Sequence, residues 1–257
     1  MKILLDTETG DPDDILVIAY LADKGLSAVT MNPGTDEQVG LVKSALRELG
    51  LNIPVGGNDI DKNCVSAFYR KIYDYKPEKP DGSCQEIISD QVNQGAKVLT
   101  CGLPKNIQNV QLDEWWAQGG FVGDSVMGNN PVLEKFRGLE TCQSFNFSNR
   151  KIIERCIANS KKQFFVSKNI CHGAIFDRTK IAKNPVIKRI MNIYLKEHDG
   201  KAFHDLLAAF ALINPDKITW EKVDIYYDKN RVGGIVNPNS STSISVNYDA
   251  NAFWGSI

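Results

Sequence analysis

Short apolar runs alternate with longer amphipathic stretches along the chain, and this alternation predicts the first elements. Residues 3–5 form an apolar run that ends in Asp6 and predicts a buried strand. Residues 13–24 predict a helix with acidic residues in its first turn. The pattern repeats as a strand over 26–31 and a helix over 36–49, closed by a glycine. The chain is therefore predicted to begin as strand, helix, strand, helix.

The same signals continue through most of the sequence. Later predicted elements are strands over 54–56, 97–100 and 115–122, an irregular segment over 58–82, helices over 146–161 and 184–196, and a β-rich tail over 217–248. Alternating strands and helices predict an α/β fold with a mostly parallel central sheet flanked by helices, an open Rossmann-like sheet. Because no repeat, low-complexity tract or linker divides the chain, we expect a single domain over residues 1–257.

Composition and charge exclude several classes of protein. With 42% hydrophobic and 24% charged side chains, the chain is typical of a globular protein rather than a disordered or membrane-spanning one. Its 30 basic and 31 acidic side chains give a net charge of −1, so we expect no nucleic-acid or membrane partner. The start of the sequence lacks the features of a secretory signal, which indicates a cytoplasmic protein. The six cysteines include no C-x-x-C pair and are expected to be free thiols.

An acidic loop follows the first predicted strand. Residues 6–14, Asp-Thr-Glu-Thr-Gly-Asp-Pro-Asp-Asp, contain five carboxylates and lie at the strand end where open α/β sheets bind ligands. Clustered carboxylates raise one another's pKa unless a cation lies among them, so the loop indicates a hard divalent ion, Ca²⁺ or Mg²⁺. A solvated acidic loop that caps the following helix is the alternative.

Two other interpretations of this loop differ in their chemistry. The spacing lacks the twelve-residue pattern and the terminal bidentate glutamate of an EF-hand, which excludes that motif. A two-aspartate phosphatase, with Asp6 as nucleophile and Glu8 as acid, would use the same strand end and stays open.

Five sequence blocks together resemble the inosine–uridine-preferring type of nucleoside hydrolase. The blocks are the acidic loop, Gly-Leu-Pro-Lys-Asn at 102–106, Gly-Gly-Phe at 119–121, Ser-Phe-Asn at 144–146 and His-Asp-Leu-Leu-Ala at 204–208. The resemblance runs from residue 3 to about residue 235 in the family's order, and its first and last blocks are the specific ones. It implies a nucleoside hydrolase-like fold, a small-molecule nucleoside or nucleotide substrate, Ca²⁺ as cofactor, and a homodimer or homotetramer.

The resemblance also implies roles for individual residues. The implied calcium ligands are Glu8, or Asp6 if one inserted residue shifts the register, with Asp14, the backbone carbonyl of Lys105, and Asp205. Asp13 would be the base that takes a proton from a calcium-held water attacking the anomeric carbon of the ribose. His204 would donate a proton to the departing nucleobase. For His204 the alternative is a residue at a helix start that is bonded to backbone.

The residues expected to bind substrate are Asn146, Ser144, Asn32, Asp13, Asp205 and His172. Asn146 matches the family's sugar-binding asparagine, whereas Ser144 stands where the family has a glutamate for the ribose 5′-hydroxyl. The turn that begins at Asn32 replaces a Gly-Asn pair that contacts the sugar. His172 follows an apolar run and either faces the pocket or is a satisfied histidine of the core or sheet edge.

These departures leave three functional alternatives. Loss of a carboxylate at the 5′ end removes repulsion against a phosphate, which favours a 5′-substituted substrate such as a nucleotide or an ADP-ribose-like compound, with Lys105 and Arg137 as candidate phosphate partners. The second alternative is a nucleoside hydrolase with relaxed recognition of the 5′ end. The third is a calcium-dependent binder that does not cleave, because the glutamate at position 8 and the inserted residue would displace the attacking water.

Overall fold

β-Strands and helices alternate in the computed structural model, which describes residues 1–58, 60 and 64–257. The strands are β1 (Ile3–Thr7), β2 (Leu26–Met31), β3 (Val55–Gly57), β4 (Gly82–Ser83), β5 (Lys97–Cys101), β6 (Leu112–Gln118), β7 (Ser160–Val166), β8 (Ile175–Asp177), β9 (Gly200–Ala202), β10 (Ile218–Asp228), β11 (Arg231–Val236) and β12 (Thr242–Tyr248). The α-helices are α1 (Asp13–Leu21), α2 (Asp36–Glu48), α3 (Cys84–Asn93), α4 (Asp124–Met127), α5 (Arg150–Ala158), α6 (Lys168–Cys171), α7 (Pro185–Tyr194), α8 (Asp205–Ile213) and α9 (Ala250–Ser256).

Ten of the described strands form one sheet in the order β11-β10-β12-β7-β6-β5-β1-β2-β3-β4, and β8 pairs separately with β9. The pairs from β4 across to β12 are parallel, and β10 and β11 complete one edge in antiparallel pairing. From β1 the chain extends the sheet to one side through β2 and then returns to the other side at β5. Such a reversal of strand order opens a crevice at the carboxyl ends of the strands.

Helices cover both faces of the sheet. α1, α2, α7 and α8 pack in one apolar core with one face, and α3 and α5 pack with the other face. Every residue of α1 is buried, and α8 is buried from Asp205 to Leu212. Helices that are apolar around their circumference are stable only when they are enclosed. α1 accordingly packs against both α8 and α7.

The predicted α/β fold with a mostly parallel central sheet flanked by helices is confirmed. The strand predicted over 115–122 instead ends at Gln118, because Gly119 and Gly120 have φ values of 148° and 83°. The helix predicted over 146–161 begins only at Arg150, after Asn149 caps it.

Other segments differ from the expectations in smaller ways. Residues 160 and 161, predicted as helix, already belong to β7, and α3 lies where no element was predicted. The irregular segment expected over 58–82 contains a 3₁₀ helix at Ala67–Lys71, while residues 59 and 61–63 of that segment lie outside the described residues. None of the described helices is both long and apolar enough to cross a bilayer.

Candidate functional site

The acidic loop lies at the point where the strand order reverses. Asp6 near the end of β1 is in register with Thr30 of β2 and Thr100 of β5, so the loop that follows opens over the carboxyl ends of central strands. A cavity of about 370 Å³ lies there, and we call it the acidic cavity. It is lined by Glu8, Gly10, Asp11, Asp13, Asp14, Cys101, Gln118, Phe145, Asn146, His204 and Asp205.

Asp13, the first residue of α1, links the two buried helices. Its Oδ2 accepts hydrogen bonds from the backbone N–H groups of His204 and Asp205, which are orphan donors at the start of α8. Its Oδ1 is buried and has no hydrogen-bond partner among the described residues. Burial raises the pKa of Asp13 to about 6, although Lys201 and the two backbone donors oppose the shift. One oxygen therefore fixes the side chain and the other is free to accept a proton.

Asp14 and Asp205 form a buried carboxyl pair. Asp14 Oδ2 accepts the backbone N–H of Asp11 at 2.8 Å, and its Oδ1 lies 3.4 Å from the hydroxyl of Thr7. Burial, followed by the charge of Glu8, raises the pKa of Asp14 well above its ordinary range. Burial, followed by the charges of Asp13 and Asp14, raises the pKa of Asp205 in the same way. A cation beside this pair would relieve the repulsion.

Glu8 and Asp6 are the two alternatives for the first metal ligand. Glu8 lines the acidic cavity, whereas Asp6 does not. Burial and the charges of Asp11 and Asp6 raise the pKa of Glu8 to about 7. Asp6 is fully buried, and its Oδ1 accepts hydrogen bonds from Thr30 and Asn106, both at 2.8 Å. Burial raises the pKa of Asp6 to about 6. The Asp6 side chain is not part of the cavity lining, and its hydrogen bonds instead connect β1 to Thr30 of β2 and to Asn106.

Lys201 is a buried cation among these carboxylates that the sequence interpretation missed. Its side chain is 7% exposed, and its Nζ lies 3.0 Å from Asp11 Oδ1 and donates to the carbonyl of Ala202 at 2.7 Å. Burial lowers the pKa of Lys201, but Asp13 and Asp11 outweigh burial and raise it overall. Its position four residues before Asp205 was the sole signal in the sequence, and it does not reveal that β9 turns the lysine inward.

The rings of His204 and His172 lie beside each other, with centroids 4.8 Å apart and planes tilted by 57°. Burial, Lys201 and His172 lower the pKa of His204 to about 3. Burial, Lys135 and Lys168 lower the pKa of His172 to about 4. Both rings are therefore neutral near pH 7. The backbone of His204 is bonded at the helix start while its ring lines the cavity, and its Nε2 is buried with no hydrogen-bond partner among the described residues.

The Ser-Phe-Asn block supplies the wall opposite the acidic loop. Asn146 lines the acidic cavity, and its Nδ2 donates to the carbonyl and to Oε1 of Gln118, at 3.1 and 2.7 Å. Gln118, at the end of β6, was not predicted as a site residue. Ser144 Oγ accepts the backbone N–H of Gly120 at 3.2 Å, and Ser144 lines a neighbouring cavity together with His172.

Besides Asp6, two predicted site residues do not line either cavity, Lys105 and Asn32. Lys105 is exposed, and its carbonyl accepts a hydrogen bond from Gln108 Nε2 at 3.1 Å. Asn32 Nδ2 donates to the carbonyl of Leu103 at 2.8 Å, so Asn32 holds the loop that carries Lys105. Arg137, a candidate phosphate partner, is exposed and pairs with Glu134.

The donor types of the acidic cavity fit a hard divalent cation. Glu8, Asp11, Asp13, Asp14 and Asp205 all offer carboxylate oxygens to the cavity, and Asp13 Oδ1 is buried without a partner in the described part of the chain. Over residues 1–58, 60 and 64–257, no three His, Cys, Asp or Glu side chains are already grouped as an ion would need. Because Ca²⁺ accepts backbone carbonyls and water beside carboxylates, its shell does not depend on three preassembled side chains.

The sequence was compared with protein-family models and with known proteins. No protein-family model matches the chain. An uncharacterized protein of Aquifex aeolicus (strain VF5) is 28% identical over 262 residues, which cover 90% of this chain and 88% of that protein.

Two solved structures share the whole architecture. A plant nucleoside hydrolase, the PpNRh1 enzyme, superposes with a TM-score of 0.71 at 15% identity, over 100% of this chain and 98% of the other. A purine-preferring ribonucleoside hydrolase from Gardnerella vaginalis superposes with a TM-score of 0.72 at 15% identity, over 98% and 96%. The chain therefore has a nucleoside hydrolase-like fold.

Proposed function

We propose that the protein hydrolyses the N-glycosidic bond of a ribonucleoside or a 5′-substituted ribonucleoside and releases the nucleobase and the sugar. The observation that carries the proposal is the geometry of Asp13, with Oδ2 anchored by the start of α8 and Oδ1 unpartnered. This carboxylate lies in a cavity with four other acidic side chains, at the crevice of a nucleoside hydrolase-like fold.

Cleavage of an N-glycosidic bond suits an acidic cavity. The reaction passes through a state with oxocarbenium character, in which positive charge develops on the ribose ring. Fixed carboxylates beside the ring stabilise that charge without having to reorganise. The 2′- and 3′-hydroxyl groups of the ribose also donate to carboxylates, so the same residues hold the sugar.

Asp13 has the protonation behaviour that a general base needs. With a pKa of about 6, its carboxylate is ionised at pH 7 and still basic enough to accept a proton from water. The proton goes to Oδ1, because Oδ2 already accepts two backbone hydrogen bonds. The water oxygen then forms a bond to the anomeric carbon, while the glycosidic bond breaks and its electron pair goes to the nucleobase. The nucleobase anion takes up a proton from solvent, and Asp13 returns its proton to solvent.

His204 is placed to assist the nucleobase as a neutral group. Its pKa of about 3 excludes an imidazolium at pH 7, so the neutral ring donates a hydrogen bond rather than a full positive charge. When Nε2 carries the hydrogen, that unpartnered N–H is available to an acceptor nitrogen of the departing base.

The proposed cofactor is Ca²⁺, held by Glu8, Asp14 and Asp205, which all line the acidic cavity. The carbonyl of Lys105, the fourth ligand that the resemblance implies, accepts a hydrogen bond from Gln108 outside this lining. When bound, the ion supplies positive charge that lowers the pKa of a nearby water and orients the ribose hydroxyls. Burial, followed by the charges of neighbouring carboxylates, raises the pKa of Asp14 and of Asp205, and a cation beside them would oppose both effects. Calcium dependence and assembly into a homodimer or homotetramer remain predictions.

The phosphatase alternative loses its nucleophile in this structure. Asp6 is fully buried, and its side chain is outside the cavity lining, so no substrate phosphorus can reach it there. A protein that binds a nucleoside without cleaving it would release neither reducing sugar nor free base, so a measurement of both products distinguishes it from a hydrolase.

The test measures reducing sugar and free base released from inosine and uridine in the presence of calcium. Asp13→Asn keeps an acceptor oxygen for α8 but cannot take a proton, so we expect kcat to fall roughly a hundred- to ten-thousand-fold. Asp113→Asn, on the exposed surface of β6, is the matched control. Tight binding of nucleosides by the wild type without turnover would contradict the proposed hydrolase and support a nucleoside-binding protein that does not cleave its ligand.

A further inference from the structure

A second cavity, of about 150 Å³, adjoins the acidic cavity, and we call it the basic cavity. The two cavities share Gln118, Phe145 and His204 as lining residues. The basic cavity is otherwise lined by Ser144, Lys168, Cys171 and His172, and none of its lining residues is a carboxylate. One continuous cleft therefore has an acidic half and a basic half.

Two lysines converge beside the basic cavity. Lys135 Nζ lies 2.9 Å from His172 Nδ1 and 5.2 Å from the ring centroid of Phe136. Lys168 Nζ lies 5.9 Å from the same ring centroid and donates to the carbonyl of Gln143 at 2.8 Å. Both ammonium groups therefore lie within 6 Å of the centroid of one aromatic ring, and the partners named here are all uncharged. Such a juxtaposition is unfavourable until an anion binds.

Neutral donors complete the basic cavity. Because His172 Nδ1 accepts from Lys135, the ring hydrogen of neutral His172 is on Nε2. Ser144 Oγ accepts the N–H of Gly120, which leaves the Ser144 hydroxyl hydrogen free to donate. Burial lowers the pKa of His172, and the charges of Lys135 and Lys168 lower it further. Ammonium, imidazole and hydroxyl donors together match the oxygens of a phosphate.

We propose that the basic cavity binds the phosphate of a ribonucleoside 5′-phosphate, so that the preferred substrate is a nucleotide. The proposal rests on the proposed function, which places the ribose in the acidic cavity. There the 2′- and 3′-hydroxyls contact the carboxylates, and C1′ carries the base that leaves. C5′ is the remaining position from which a substituent can extend into the adjoining cavity.

The distribution of charge around the ribose also agrees with this orientation. Ser144 is neutral and donates at the boundary of the two cavities, so no carboxylate of the basic cavity opposes a phosphate. The five carboxylates lie on the acidic side, where Lys201 already offsets part of their charge. The basic cavity is therefore the half of the cleft in which binding of a phosphate is electrostatically favourable.

The first test compares kcat/KM for inosine 5′-monophosphate and inosine, with calcium present. We expect the wild type to prefer the monophosphate, and Lys135→Ala and Lys168→Gln each to reduce that preference roughly tenfold, the factor that one charge-assisted hydrogen bond supplies. Lys151→Ala, on the exposed face of α5, is the control and keeps the wild-type preference. A wild type that prefers inosine overturns the proposal. Variants that lower both substrates equally also overturn it, because the cavity then binds the nucleobase.

A binding measurement separates this proposal from the proposed function. Calorimetric titration with ribose 5-phosphate and with ribose measures the contribution of the phosphate to affinity, and neither sugar has an N-glycosidic bond to cleave. Tighter binding of ribose 5-phosphate that is lost in the Lys135→Ala/Lys168→Gln double variant supports the phosphate site, even if no N-glycosidic bond is cleaved. Equal binding of the two sugars overturns the phosphate site, even if nucleosides are hydrolysed.

Discussion

The two oxygens of Asp13 have different surroundings, and this difference defines the part of the residue in the proposed reaction. The backbone of α8 saturates Oδ2, while Oδ1 is buried without a partner among the described residues. A carboxylate with both oxygens bonded would be a structural cap. A carboxylate with neither bonded would have no fixed direction. Asp13 has one bonded oxygen and one unbonded oxygen. A general base needs both, because its side chain must be oriented and must still be able to accept a proton.

The acid side of the pH profile follows from this residue. Burial raises the pKa of Asp13 to about 6, so protonation removes the base as pH falls through that value. We expect kcat/KM for a ribonucleoside to decrease below about pH 6 and to be largely constant just above it. A bound cation favours the ionised form and moves this limb to lower pH. Initial rates at several calcium concentrations measure the shift, and a limb that moves upward with calcium would contradict the assignment.

Lys201 sets the same pKa from the opposite direction. Its positive charge, buried 3.0 Å from Asp11, is the largest influence that lowers the pKa of Asp13. Replacing it by the neutral Lys201→Met should therefore raise the pKa of Asp13 and move the acid limb of kcat/KM to higher pH. Lys217→Met, which removes an exposed lysine paired with Asp216, is the control. An acid limb at the wild-type position in Lys201→Met would show that the lysine has only a structural part.

At the scale of elements, the turn after β6 controls the wall that carries Asn146. Gly119 has a φ of 148°, and a Cβ atom at this position would lie 2.2 Å from the ring of Phe147. Phe147 belongs to the same 3₁₀ helix, Phe145–Phe147, as Asn146. Close packing of glycine against an aromatic ring therefore fixes the position of Asn146, which lines the acidic cavity.

Gly119→Ala should accordingly destabilise the protein by about 1–3 kcal/mol, the usual cost of forcing extra volume into a packed region. Gly255→Ala, in α9 with no atom within 4 Å of the added Cβ, should change stability by less than about 0.5 kcal/mol or increase it. Urea unfolding gives both free energies. Equal effects of the two substitutions would mean that the Phe147 contact does not constrain the turn.

The elements that the sequence predicts best are those whose pattern is local. β1, α1, β2 and α2 follow from apolar runs bounded by acids and glycines, and their predicted bounds differ little from those observed. β7 escaped detection because Lys161 and Lys162 point to solvent on a strand with few apolar residues before Phe164, and the preceding helix pattern continued into it. Pairing with β6 and β12, which is non-local, decides its conformation.

The candidate site was only partly predictable for a similar reason. Asp13, Asp14 and Glu8 follow one strand, so their clustering is visible in the sequence. Lys201, which pairs with Asp11, and Lys168, which lines the basic cavity, come from segments far along the chain. A lysine in isolation indicates a solvated surface. Their contacts depend on how β9 and α6 pack beside the acidic loop, which no local pattern encodes.

At the scale of the whole molecule, a net charge of −1 conceals opposite local charges. Five carboxylates line one half of the cleft, and two lysines lie beside the other half. The protein maintains the acidic half at the expense of stability, because burial raises the pKa of Asp6 to about 6 and that of Glu8 to about 7. These values lie above the ordinary value of about 4 for unfolded carboxylates.

The sign of the resulting pH dependence is defined. Carboxylates whose folded pKa is raised stabilise the fold when protonated, and that stability is lost as pH rises through about 6 to 7. With a chelator present, we expect Tm to be higher at pH 5 than at pH 7.5. Calcium should raise Tm more at pH 7.5 than at pH 5, because it binds the ionised carboxylates. Thermal unfolding over this pH range measures both, and a calcium effect that is larger at pH 5 would contradict the acidic cavity as the ion site.

The stereochemistry of the sugar product tests the central claim most directly. If Asp13 activates a water for a single displacement at C1′, a β-riboside must first give the α-anomer of the free sugar. Time-resolved proton NMR of inosine and inosine 5′-monophosphate hydrolysis with calcium shows the anomer before it equilibrates. We predict free base together with an initial excess of the α-anomer, and neither product with Asp13→Asn. Initial formation of the β-anomer, or no release of base by the wild type, would contradict the account.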